Sequence, residues 1–250
     1  MKTKITVITA ILLLASTSAL ATTIYGTVTA SYTGFGAADS MTIWGGGLTS
    51  HNLSAGALLL NKTAGTGDGQ YLDNGTVGVF CIDLLETAAS SSKKYDVLMP
   101  QDGPRPTSFL GGGMGEAKAD YLAELWGRYY DSAWSTSGTH STAQKEAAGA
   151  FAAAVWEIVY EAVPSSPTSW DVTTDNTEGD LGFRAANLNS QLANSMLHSL
   201  NGTGPMADLR ALSYNGGQDF IASFSLVTIP EPATIAFAAM GLLFIARKRN

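Results

Sequence analysis

From Thr22 to Leu98 the sequence alternates apolar with polar or small residues, and clusters of glycine cut the alternation into short runs. The runs "TIYGTVTASYTG", "MTIWGGG", "GALLLNKT", "GTVGVFCIDLL" and "KYDVLM" follow one another at short intervals. A period of two is the signature of strands with one face on a core. Gly45-Gly46-Gly47, Gly67-Asp68-Gly69 and Asp73-Asn74-Gly75 supply the turns, and Asp-Asn-Gly ahead of an apolar run is a strong turn signal. A chain that opens this way has to bury a sheet face, which predicts an antiparallel sandwich or barrel.

The period then changes. Glu116 to Tyr130 puts Leu122, Leu125, Trp126 and Tyr129 on one side of a helix. Ser141 and Gln144 form a capping box ahead of "AQKEAAGAFAAAVWEIVYEA", a helix ended before Pro164. Its Ala148, Phe151, Ala152, Val155 and Val159 share one face, with Trp156 at the margin. A third helix is predicted from Gly182 to Leu200, and "LRALSYNGGQDFIASFSLV" reads as a closing hairpin turning at Asn215-Gly216-Gly217. Strands followed by helices argue α+β: an N-terminal antiparallel β sandwich or barrel, a segment of about three helices and a closing hairpin.

The two ends predict a compartment. Lys2 and Lys4, an apolar run from Ile5 to Leu14, and the small residues Ala19 and Ala21 read as a signal peptide over residues 1–21, for passage through the Sec translocon. At the other end come Pro230-Glu231-Pro232, an apolar run from Ala233 to Ala246 and the cluster Arg247-Lys248-Arg249. In that order the last twenty or so residues resemble the PEP-CTERM family. The resemblance implies export, recognition by an exosortase and cleavage near the Pro-Glu-Pro motif. A helix of fourteen residues spans only about 21 Å of a ~30 Å hydrocarbon core. Such a segment suits a transient membrane hold with its cations on the cytoplasmic side. Residues 22–229 are then an exported globular region, delivered to the cell surface or the extracellular space.

Charge narrows the partners. The chain has 14 Lys+Arg and 21 Asp+Glu, and five of the cations lie in the terminal signals, leaving 9 − 21 = −12 for Thr22 to Pro232. Such a surface repels nucleic acid and anionic lipid. For an exported protein of the kind the PEP-CTERM resemblance implies, exopolysaccharide or other surface proteins are the expected partners.

The single cysteine, Cys81, excludes an internal disulfide. Alternation puts Val77, Val79, Cys81 and Asp83 on one face of its strand and Gly78, Phe80, Ile82 and Leu84 on the other. Apolar residues on both faces make the strand interior, and Cys81 is expected to be an ordinary buried thiol. Asp83 beside it disfavours a thiolate. His51, His140 and His198 are scattered, so no metal and no cofactor is expected. Asp171 to Asp180, "DVTTDNTEGD", holds oxygen ligands near a glycine but fails the spacing of a calcium loop. Ser90 with Lys93 sits in a polar turn, not at a helix start.

The aromatic-Cys-Ile-Asp strand "FCIDL" and the helix "FAAAVWEIVYE" resemble the bacterial thioester domains, adhesin modules in which a Cys side chain is joined to a Gln side chain. The resemblance puts the cysteine at Cys81 and the Gln, four residues before Trp156, at Ala152. Ala152 has no carboxamide, and Gln144, eight residues along the same helix, lies about 12 Å away along its axis. The resemblance therefore implies the scaffold with the covalent bond missing. The reading favoured is a non-enzymatic exported protein acting in binding, adhesion or the exopolysaccharide matrix of a biofilm. The alternative is a secreted hydrolase with a site assembled from distant loops.

Overall fold

The computed structural model describes residues 22–105, 112–175 and 182–224. Two strands of twenty residues dominate it, β1 (Gly26–Gly45) and β2 (Leu48–Gly67), joined at Gly46-Gly47 and paired along nearly their whole length. Gly46 and Gly47 have φ of 54° and 87°, the left-handed region a tight turn requires and glycine adopts without strain. Where the sequence predicts several short strands, the chain runs on through Gly34 and Gly56. It absorbs them as register shifts, at Thr29/Ala30, Tyr32/Gly34 and Phe35/Ala38. Such bulges bend a strand pair and raise its twist.

The bend lets the sheet close. β3 (Gly75–Cys81), β4 (Lys93–Leu98), β6 (Leu209–Tyr214) and β7 (Gly217–Ser223) complete the order β2-β3-β7-β6-β4-β1, and the β1–β2 pairing joins the ends into an antiparallel barrel. The far half of β1 also carries β5 (Phe183–Ala186). The predicted hairpin is present, turning at Asn215 and Gly216, but the sheet is not confined to the N-terminal half. β6 and β7 fill the gap between β3 and β4.

The predicted capping box forms: Gln144 N donates to Ser141 Oγ, and Ser141 N to Gln144 Oε1. It starts α2 (Thr142–Tyr160), which is buried on every side from Ala148 to Tyr160. Helix α1 (Glu116–Tyr129) and helix α3 (Ser190–His198) pack on one flank of α2, and β1, β2 and β5 on the other. A Cβ on Gly149 would lie 2.8 Å from Asp39 Cβ, so glycine permits this approach of helix to barrel. Phe151 sits 4.7 Å from Phe80, 5.6 Å from Trp126 and 5.6 Å from Trp134, ring centre to ring centre, which makes these aromatics core.

The helix predicted from Gly182 is shorter than expected. Phe183–Ala186 is strand instead, held by pairing to β1 and by Arg184 over the Trp44 ring at 4.5 Å. Asn187, at φ 62°, turns the chain, and Asn189 caps α3 by accepting from Leu192 N.

Candidate functional site

Cys81 closes β3 opposite Phe220 of β7, and the pairing continues as Ile82 N donates to Asp219 O at 3.0 Å. The next residue on β7, Gln218, therefore faces the end of β3. Gln218 Nε2 donates to Cys81 Sγ at 2.9 Å and also approaches Asp83 O at 3.3 Å. The thiol itself donates to Asp83 O at 2.9 Å. The amide carbon, one C–N bond of about 1.33 Å beyond the nitrogen, lies within about 4.2 Å of the sulfur. Ala152, where the resemblance put the Gln, is buried in α2, and Gln144 is engaged at the helix cap. The carboxamide at this sulfur thus comes from the closing hairpin, and the absence of a Gln at 152 does not leave the thiol without one.

Thiol and carboxamide form the floor of a cleft of about 300 Å³, walled by Tyr32 and Phe35 of β1, Leu58 of β2 and Trp156 of α2. Phe35 is 41% exposed at its rim, whereas Cys81 is 5% exposed. Burial pushes the thiol up to about 12, and the charges of Asp83 and Asp219 add to the rise. The hydrogen bond to Asp83 O and the nearby Trp156 indole oppose it in part. Asp219 is itself raised to about 6, chiefly by burial, although Arg105 N and Tyr214 N both donate to its carboxylate. Tyr160 Oη accepts from Leu84 N at 2.9 Å, tying the segment after β3 to α2. The expected buried strand and disfavoured thiolate are thus both present, together with a partner the sequence did not reveal. Only alternation along "GQDFI" points to Gln218, and nothing local shows that β7 lies beside β3.

Of the other described candidate residues, His51 reaches this cleft and the rest do not. His51 lines its rim, whereas His140 Nε2 meets Thr136 O and His198 Nε2 meets Trp170 O. Of the oxygen-rich segment, Asp171 is satisfied by Thr173 and Asn194. Residues 176–181 lie outside the described residues, as do the signal peptide with Ala19 and Ala21 and the motif Pro230-Glu231-Pro232. Among the described residues no group of three His, Cys, Asp or Glu could hold a metal ion, and no helix is long and apolar enough to cross a membrane.

Residues 228–250 match the PEP-CTERM protein-sorting motif. The chain is an exosortase substrate, exported to the surface or the extracellular space. The motif begins four residues beyond Phe224, the last described residue of the globular region. It brings transient membrane anchoring before delivery, and it is an address that leaves the work of the barrel open. No curated protein and no solved structure matches the chain.

Proposed function

We propose that this exported protein acts without turnover, by covalent attachment: Cys81 and Gln218 join as an internal thioester, which then acylates an amine on a partner at the surface or in the extracellular matrix. The observation that carries the reading is the 2.9 Å contact between Gln218 Nε2 and Cys81 Sγ at the floor of an open cleft. Atoms balance simply. Sγ bonds to the Gln218 amide carbon, the C–N bond breaks, and the thiol proton leaves with the nitrogen as ammonia. An arriving amine later bonds to the same carbon, and Cys81 is released as the thiol.

The environment that makes Cys81 a poor free thiolate makes it a good guardian of a thioester. A thioester sulfur is neutral and suits an apolar site, and a leaving thiol of pKa about 12 departs slowly. That slow departure holds for water and amine alike, and the amine, the stronger nucleophile at the carbonyl carbon, is favoured over water once it enters the cleft. The resemblance of "FCIDL" and "FAAAVWEIVYE" to the thioester domains is in line with this reading, with Gln218 in the role the resemblance implied for position 152.

Intact mass decides it. The folded protein should be lighter by one ammonia than its sequence, and methylamine should add at Gln218. Cys81→Ala and Gln218→Ala should each carry full mass and take up no methylamine. A wild-type protein of full mass, inert to methylamine, would refute the proposal and leave a non-covalent binding module.

A further inference from the structure

This inference rests on the thioester reading and concerns how the bond is made and opened. Acyl transfer places negative charge on the carbonyl oxygen as the nucleophile adds, and proteins stabilise that charge with donors already in position. Around Cys81 most backbone donors are taken. Ile82 N is bonded to Asp219 O, Leu84 N to Tyr160 Oη, Leu85 N to Asp83 Oδ1 and Gln218 N to Thr87 O. A side-chain donor at the cleft is free among the described residues. Trp156 Nε1 is fully buried and has no hydrogen-bond partner.

An unmet buried donor is costly and calls for a reason. Trp126 and Trp170 also carry unmet ring N–H groups, but neither lines this cleft, whereas Trp156 lines it together with Cys81 and Gln218. The indole N–H lies close enough to the sulfur to donate to a thiolate there, but with the thiol in place it has no well-formed hydrogen bond, and the same donor is free for a neighbouring oxyanion. The ring cannot drift. It projects from a helix buried on every side and packs on Phe183 with ring centres 5.7 Å apart.

We infer that the Trp156 indole N–H is the oxyanion donor of this site. It takes the charge that develops on the Gln218 carbonyl oxygen when Sγ adds to the amide carbon, and takes it again when an amine adds to the thioester. The donor is idle in the free thiol state because the oxygen it serves carries charge only during acyl transfer.

The test follows ammonia loss and methylamine opening by mass, with thermal melting as the check on folding. Trp156→Phe keeps an aromatic ring and removes the N–H, and should slow both steps about a hundredfold while the protein stays folded. Trp156→His, which returns a ring donor, should recover part of the rate. If Trp156→Phe does not fold, site-specific benzothienylalanine at 156, with sulfur in place of the ring N–H at nearly equal volume, gives the same comparison and the same expected slowing. Wild-type rates in the folded N–H-free variant would overturn the inference and leave the thioester standing. Full mass in the wild type would instead remove the thioester, and this donor role with it.

Discussion

Glu157 is the carboxylate whose replacement should stabilise the protein. It is fully buried in α2; Oε1 accepts from Asp171 N at 3.1 Å and Oε2 has no partner. Burial, then the charges of Glu161, Asp171 and Asp175, push it from 4.5 up to about 9. The sign follows from proton counting. Between pH 4.5 and 9 the folded state holds a proton that the unfolded state has lost, so the stability this group contributes is full below 4.5 and declines as pH rises towards 9. The decline is about 1.4 kcal/mol per pH unit, or roughly 3 kcal/mol by pH 7. Glu157→Gln keeps the acceptor for Asp171 N, removes the charge and puts a donor where Oε2 stands. Its advantage over wild type should be small at pH 4 and grow to about 3 kcal/mol at pH 7, some 6–12 °C in Tm for a domain of this size. Urea unfolding of both proteins from pH 4 to 8 measures it. A gap independent of pH, or a variant weaker than wild type at pH 7, would show that Glu157 is ionised and compensated, and would refute the reasoning.

Phe151→Ala removes the ring shared by Phe80, Trp126 and Trp134 and should cost about 3–5 kcal/mol; equilibrium unfolding with an unchanged midpoint would contradict this. Terminal peptide mapping of protein collected outside the cell should find a chain starting at Thr22 and lacking Arg247-Lys248-Arg249. Recovery of an intact basic end there would contradict processing at the sorting motif.

What the sequence revealed was mostly local. The Ser141–Gln144 box, the span of α1 and the turn at Asn215-Gly216 depend on residues within a few positions of one another, and each is where pattern reading puts it. The long β1 and β2 were hidden because Gly34 and Gly56 look like breaks, whereas pairing along both strands carries the chain through them as bulges. The segment at Phe183 was misread for a related reason. Its four residues become strand only because the far half of β1 offers an edge. At the site, the burial of Cys81 could be read from alternation, but Gln218 is 137 residues away and reaches it through a pairing between strands that no local signal specifies.

That separation also bears on when the site can act. β7 reaches Cys81 only by taking its place between β3 and β6, so sulfur and carboxamide meet when the barrel closes and not before. A chain crossing a membrane in extended form carries the two groups apart, and closing a loop of this length is a cost met only by the pairings and core contacts of the folded state. On the thioester reading, the electrophile is therefore a product of folding. On that reading, a chain exported unfolded makes the bond only after crossing, on the side where the sorting motif sends the protein.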